Sequence, residues 1–224
     1  MMENNTVAVI PSYNEDKTIN KVIEETLKHV SSVVLVDDGS KDKTEDVLEN
    51  EYQGRLYYLR HPINMGKGAA LRTGVRFAAK LGATRVVLLD ADGQHNPQEI
   101  PRFLAKLNEG TELAIGARKK DGNMPFSMRS GNLFLSRLIQ LLFGSHVEDT
   151  QSGYRAFEIT NASKLIWKSN DYFVETEMLI RAEKNKLKVR ELPIATIYHD
   201  SYKGTTFIDG IKIFFNIIKL RVYD

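Results

Sequence analysis

Arg85-Val86-Val87-Leu88-Leu89-Asp90-Ala91-Asp92-Gly93-Gln94-His95 joins an apolar, β-branched run to a cluster of hard oxygen ligands. A short continuous apolar run of this kind reads as a buried strand, and the polar cluster marks where it ends. Carboxylates one residue apart at a strand end both reach a divalent cation once the chain begins to turn, and Gly93 frees the backbone to make that turn. The stretch therefore reads as a metal site serving a phosphate, against the plainer alternative of a solvated Asp-Gly turn.

Working outward, similar runs recur at Val7-Ile10, Val33-Val36, Leu56-Leu59 and Leu113-Gly116, separated by helix-period segments. Ile19, Val22, Ile23, Leu27 and Val30 form one amphipathic face, and Leu71, Val75 and Ala78 another. Asp42 and Glu45 stand as N-cap and N3, which predicts a further helix after the second strand. Strands alternating with helices predict an α/β fold with a mostly parallel central sheet flanked by helices. In such sheets ligands bind beyond the carboxyl ends of the strands.

The polar clusters fall at those ends. Pro11-Ser12-Tyr13-Asn14-Glu15 follows the first strand and Asp37-Asp38-Gly39-Ser40 the second, while the Asp90 cluster follows the fourth. Asp37 is suited to accept a hydrogen bond from a base or ribose, Tyr13 to lie against a base, and a metal to bridge a diphosphate. Ser40 and Asp42 read as turn and capping residues. Gly66-Lys67-Gly68 is not a phosphate-binding P-loop, since no Ser or Thr follows the lysine, nor does it complete a dinucleotide fingerprint. Two readings of Lys67 remain: a cation for donor phosphate at a helix start, or a solvated lysine in a glycine turn. Neither a zinc pattern nor a Ser/His/Asp spacing is found, which weakens hydrolase readings.

The chain has 224 residues, which suits one sizeable domain. Its 31 Lys and Arg nearly balance 29 Asp and Glu, so overall charge argues neither for nor against nucleic acid, and no nucleic-acid polymer is expected as a partner. With no cysteine, disulfides and thiolate metal sites are excluded. Thr6-Ile10 is too short for a secretory core, and no apolar run reaches the roughly 18 residues of a membrane span, so a soluble or peripheral protein is expected. Between 118 and 137, Arg118, Lys119, Lys120, Arg129 and Arg137 face Asp121 alone, beside Gly122 and Pro125. This stretch is expected to be a mobile basic loop.

Taken together, Pro11-Ser-Tyr-Asn-Glu15, Val36-Asp-Asp-Gly-Ser40, Asn64-Met-Gly-Lys-Gly68, Asp90-Ala-Asp-Gly-Gln-His-Asn-Pro97 and Asp149-Thr-Gln-Ser-Gly-Tyr-Arg155 carry a resemblance. The chain resembles the family 2 glycosyltransferases with a GT-A fold, and within them the dolichyl-phosphate mannose synthase and polyprenyl-phosphate glycosyltransferase branch. The resemblance implies that Pro11, Tyr13, Glu15 and Asp37 hold the nucleoside and that Asp90, Asp92 and Gln94 handle a divalent metal, Mg²⁺ or Mn²⁺, with the diphosphate. It implies that Arg118 and Arg129 meet the phosphates of donor and lipid, and that Asp149 lies near the acceptor with Gln151 and Arg155 behind it. The expected donor is GDP-mannose, with UDP-glucose next. The expected acceptor is a polyprenyl phosphate, met by an enzyme peripheral on the cytoplasmic face of the membrane.

Processive polysaccharide synthases carry Gln-x-x-Arg-Trp, whereas here Arg155 comes one place late after Gln151 and no Trp follows. A sugar nucleotidyltransferase would open with a glycine- and arginine-rich loop, which Pro11-Glu15 is not. A silent nucleotide-sugar binding module fits poorly with intact Asp90, Asp92 and Gln94. Tyr154 and Phe157 read as core residues. Glu175 reads as a helix-dipole residue and Glu177 as the partner of an inward basic group.

Residues 1-200 are expected to form the catalytic domain and 201-224 a C-terminal amphipathic helix. In that helix Ile208, Ile211, Phe214, Phe215, Ile218 and Leu220 recur at helical spacing, and Lys203, Lys212, Lys219 and Arg221 outnumber Asp209. It lies either at a membrane surface or against the sheet.

Overall fold

A computed structural model describes residues 5–46, 48, 52, 54–118, 126–195 and 207–223, without the side chains of 126–132, 207–209 and 223. Its centre is a seven-stranded sheet in the order β3-β2-β1-β4-β6-β5-β7. The strands are β1 (Thr6–Ser12), β2 (Ser32–Asp37), β3 (Leu56–Arg60), β4 (Arg85–Leu88), β5 (Leu113–Arg118), β6 (Arg155–Glu158) and β7 (Val189–Ile194). β6 is antiparallel to both of its neighbours, β4 and β5, while every other pairing is parallel. This is the α/β architecture expected from the sequence.

Both faces of the sheet are covered, which is why the inner strands are largely apolar. Val86 and Leu88 of β4 point to one face with Val7 and Val9 of β1, and Val87 points to the other with Ala8 and Ile10. The first face carries α2 (Lys67–Lys80), α4 (Phe126–Phe143), α6 (Val174–Lys184) and α7 (Phe207–Tyr223). The second carries α1 (Ile19–Leu27) and α3 (Ile100–Asn108). A single turn, α5 (Ala162–Leu165), places Leu165 against the first face.

Several expectations change. The expected basic loop is largely helix, because α4 begins at Phe126; Lys119, Lys120, Asp121, Gly122 and Pro125 lie outside the described residues. Arg129 falls within α4, but its side chain is outside them as well. Among the described residues no α-helix opens at Asp42. Residues 41–46 form bends and turns, and Asp42 instead accepts from the Asp16 amide at 3.1 Å and from the Thr44 amide and hydroxyl. Two strands, β6 and β7, were not expected. β6 is four residues long and opens with an arginine, while β7 is an edge strand that tolerates Pro193.

The tail is neither purely packed nor purely free. α7 buries Ile213 and Ile217 in the core beside α4 and α6, while Ile211, Phe215, Ile218 and Val222 are exposed. Its apolar residues therefore occupy two faces, and Ile213 and Ile217 were missing from the stripe read in the sequence.

Helix α2 lies close against the sheet at Gly74, where an added Cβ would come within 2.3 Å of Val9 Cγ1. Val9 is fully buried in a central strand and is β-branched, so it turns aside poorly. Gly74→Ala gains about 1 kcal/mol of helix propensity but overpacks by about 1–3 kcal/mol. We expect a lower urea midpoint and a net loss of up to about 2 kcal/mol. A midpoint at or above that of the parent would show that α2 can lift off the sheet at no cost.

Candidate active site

Three loops meet beyond the carboxyl ends of β1, β2 and β4, and hydrogen bonds join them. Asn14, whose φ of 58° is one that Asn tolerates, donates its amide to Ser40 Oγ at 2.9 Å and accepts from the Lys41 amide at Oδ1. The Glu15 amide reaches Thr44 Oγ1, and Thr18 Oγ1 donates to the Ala91 carbonyl at 2.8 Å. The first loop is thus tied to both the second and the metal-candidate loop.

The second loop is more structural than the sequence suggested. Asp37 is fully buried; it accepts from the Ser40 amide and from Tyr58 Oη, both at 2.8 Å, with Arg60 Nε 3.6 Å away. Burial, then the Asp37 bond, pushes the Tyr58 phenol above its ordinary range. Asp38 was given no role by sequence. Its carboxylate meets His61 Nδ1 at 2.7 Å and accepts from the Met65 and Gly66 amides at 2.9 and 2.7 Å, which shapes the entry to α2. Of the other expected nucleoside contacts, Pro11 is buried within β1, Glu15 is half-buried and Tyr13 is exposed.

In the third loop the Asp90 amide donates to His95 Nδ1 at 3.0 Å, and the Gln94 amide to Asp92 Oδ1 at 2.9 Å. Gly93 turns the chain with φ of 76°. The imidazole stacks on Tyr154 at 4.9 Å, Tyr154 on Phe103 at 4.4 Å, and Tyr154 Oη donates to the Asn96 carbonyl. Burial holds His95 below the usual histidine range, consistent with a neutral ring whose Nδ1 accepts. Tyr154 and Phe157 are core residues, as expected.

Lys67, the first residue of α2, is not solvated. Its ammonium lies 2.7 Å from Asp90 Oδ1 and 2.8 Å from Glu175 Oε1, at the start of α6. Burial alone would lower its pKa, but the two carboxylates outweigh that and raise it, while Asp90 is held below its ordinary range despite burial. Glu175 is therefore the inward partner. Glu177 instead accepts from the Lys168 and Ser169 amides and pairs with Arg181 one turn on. The helix start offers little to an anion through its backbone, since Asp38 takes the Met65 and Gly66 amides and the Asn170 carbonyl takes the Gly68 amide at 2.7 Å.

Arg118 and Asp149 hold each other. Nε and Nη2 of Arg118 donate to the two carboxylate oxygens at 2.7 and 2.8 Å, and the Arg118 amide adds a third bond. Both are expected site residues, but the arginine faces a carboxylate of its own chain. Gln151 donates to Thr176 Oγ1 at 2.6 Å. Arg155 is 1% exposed and donates to the carbonyls of Ser152 and Thr150, leaving Nη1 with no hydrogen-bond partner. Burial pushes its guanidinium down to about 10, which leaves it charged at neutral pH.

Asp90, Asp92 and Gln94 supply hard oxygen donors on one turn. Asp92 is held above the usual carboxylate range by burial and then by the charge of Asp90, so a cation placed there relieves two crowded anions. Among the described residues no three His, Cys, Asp or Glu side chains form a metal site by themselves. The donor set fits a divalent ion that takes its remaining ligands from substrate phosphates and water.

These three loops, on this sheet, also belong to a known family. The profile described as glycosyl transferase family 2 matches residues 7–173. The chain belongs to that family. It is 36% identical to the UDP-N-acetylglucosamine–dolichyl-phosphate N-acetylglucosaminyltransferase of Methanococcus voltae, over 96% of this chain and 95% of that one. It is 30% identical to the polyprenol monophosphomannose synthase of Mycolicibacterium smegmatis, over 93% and 82%. Among solved structures, glucosyl-3-phosphoglycerate synthase from Mycobacterium tuberculosis, in complex with Mn²⁺, UDP-glucose and phosphoglyceric acid, superposes with a TM-score of 0.75 at 20% identity. That match covers 98% of this chain and 80% of that one and shows a shared fold.

The role of Asp38 can be tested directly. Asp38→Asn keeps one carbonyl acceptor but turns an NH₂ group toward a backbone donor, leaving an amide unpaired at a cost of about 1–3 kcal/mol. We expect that loss in denaturant unfolding, together with faster hydrogen exchange at Met65 and Gly66. Unchanged stability and exchange would remove Asp38 from this role.

Proposed function

We propose that this glycosyltransferase moves one sugar from a nucleoside diphosphate sugar to a polyprenyl phosphate, with inversion. What supports this most is the likeness, over nearly the whole chain, to a transferase named for dolichyl phosphate. A lipid-phosphate oxygen forms the new bond to the anomeric carbon as the bond to the diphosphate oxygen breaks, and the nucleoside diphosphate leaves with the electron pair. In-line attack turns an α-linked donor into a β-linked product. A phosphate monoester, with a second pKa of about 6, is already ionised at neutral pH, so no strong general base is required.

Asp90, Asp92 and Gln94 hold the metal in this reading, and Lys67 lies beside them. When bound, a divalent cation supplies Lewis-acid stabilisation of the departing diphosphate. Arg129 positions the acceptor phosphate. Arg118 contributes by fixing Asp149, and it meets phosphate only by sharing that carboxylate. Sequence favoured GDP-mannose as donor. The higher identity to the N-acetylglucosaminyltransferase supports a UDP-sugar over it, and thermal-shift titration with GDP, UDP and their sugars distinguishes the two. A ligand at 100 times its Kd adds about 2.7 kcal/mol.

Asp92→Asn is expected to lower turnover by about 10² to 10³, since the amide keeps the shape but withdraws charge from the cation. Thermal unfolding without ligand should be close to that of the parent. If both EDTA-treated parent and Asp92→Asn turn over at near-normal rates, the cation reading is wrong.

A lipid acceptor requires a route to the membrane. Among the described residues no helix is long and apolar enough to cross one. α4 and α7 pack on each other and expose Leu141 (83%), Val222 (66%), Phe215 (65%) and Phe134 (57%), with Phe134 stacked on Phe214 at 6.0 Å. With Lys212, Lys219 and Arg221 on the same helix, this patch suits an anionic lipid surface on the cytoplasmic side. Deleting α7 would remove Ile213 and Ile217 from the core, so point changes are the better probe. Phe215→Ser with Val222→Ser should reduce flotation on anionic vesicles at least tenfold, given about 1.5–3 kcal/mol for each side chain fully buried. Flotation equal to that of the parent would assign membrane contact to another surface.

A further inference from the structure

The Lys67 ammonium occupies the place where a second positive charge is least welcome. It is bonded to Asp90 Oδ1, one of the two carboxylates proposed to receive a divalent cation, and Glu175 holds it from the other side. Exposure is low around the pair: 17% for the Lys67 side chain, 26% for Asp90 and 5% for Glu175. Screening by solvent is therefore weak, and the charges act on one another strongly.

The backbone closes over this pair at Gly153. A Cβ there would stand 2.9 Å from Lys67 Nζ and 3.0 and 3.1 Å from the two Asp90 oxygens. A side chain at this position would crowd ammonium and carboxylate together and force one of them to shift. Among the described residues the ion pair that Glu175 makes is with Lys67, and its Oε1 makes no hydrogen bond of good geometry. Its charge also acts on the buried Arg155 guanidinium, and a buried carboxylate so placed is a stronger determinant of position than of stability.

We propose that Lys67 is a built-in counter-cation that keeps Asp90 from taking up a divalent metal on its own and admits the metal together with a nucleoside diphosphate. The inference rests on the transferase reading above. Asp90 Oδ1 already has a cation in Lys67, so an incoming metal must displace it or share the oxygen against like-charge repulsion. A diphosphate changes that balance. Its oxygens give the lysine a new anionic partner and supply the metal with ligands that the protein lacks. Metal and nucleotide then bind with positive coupling, which by linkage is the same in both directions. Glu175 is the positioning residue that keeps Lys67 within the site.

The test is Mn²⁺ titration followed by the loss of the free-ion EPR signal, with no nucleotide and then with UDP or GDP. Lys67→Met removes the ammonium but leaves Glu175 buried and alone, so Lys67→Met/Glu175→Gln is measured beside it. The double variant has the same net charge as the parent at these positions. The inference expects both variants to bind Mn²⁺ alone at least tenfold more tightly than the parent, and the enhancement by nucleotide to shrink by a similar factor. If only the single variant tightens, or neither does, while the parent binds Mn²⁺ with nucleotide, Lys67 does not guard Asp90 and the inference fails alone. If the parent takes up no Mn²⁺ with either nucleotide, the metal-dependent transferase reading fails and this inference with it.

Discussion

The hydrogen bond from the Asp90 amide to His95 Nδ1 folds the chain back on itself at the end of β4, and the carboxylates take their places from that turn. It requires a neutral imidazole, supplied by a buried setting in which Tyr154 stacks on one ring and Phe103 on the next. Both aromatic residues belong to the core beneath α3. Packing and chemistry are therefore joined at one residue. Remove the stack and the turn loses its support; remove the turn and Asp92 no longer faces the same space as Asp90.

A second constraint comes from the opposite side of the site. α2 must begin close to Asp90 for Lys67 to reach it, and the approach is set by backbone contacts. Asp38 ties down the amides of Met65 and Gly66, the Asn170 carbonyl accepts from Gly68, and Trp167 Nε1 donates to the Gly68 carbonyl at 2.8 Å. Gly66 and Gly68 permit this, since a Cβ on either would meet the backbone of Ser169 or Asn170 at about 2.3–2.4 Å. A buried ammonium between two carboxylates is a poor source of stability but a strong determinant of position.

The strands beneath the site were legible because a sheet covered on both faces demands continuous apolar runs, and five such runs stand plainly in the chain. β6 escaped for the opposite reason. Arg155 opens it, and its first three residues are buried by neighbours far away in sequence. The loop chemistry divided in the same way. That Asp90, Asp92 and Gln94 share a turn follows from their spacing, but that Glu175 faces Lys67 across 108 positions does not. α6 offers no clean amphipathic signal there, since Val174 through Ile180 are all buried, acidic residues included. Asp38 was obscured by Asp37 beside it; alternation sends the two side chains to different partners, and Tyr58 and His61 both lie more than twenty residues away.

Among the described residues, charge arithmetic at the site explains why Arg118 and Lys67 are already engaged. Arg118 is matched to Asp149 and Lys67 to Asp90 and Glu175, while Arg155 keeps one nitrogen without a hydrogen-bond partner in a buried place. In a site built for anions, free arginines would be expected to wait for phosphate. Pairing them in advance lowers the affinity for any single anion, because each phosphate must compete with a carboxylate held at hydrogen-bond distance. The same pairing favours a ligand that brings its own positive charge, since the displaced carboxylates then regain a partner. A nucleoside diphosphate arriving with a divalent cation meets that condition; free phosphate and a bare cation each meet half of it.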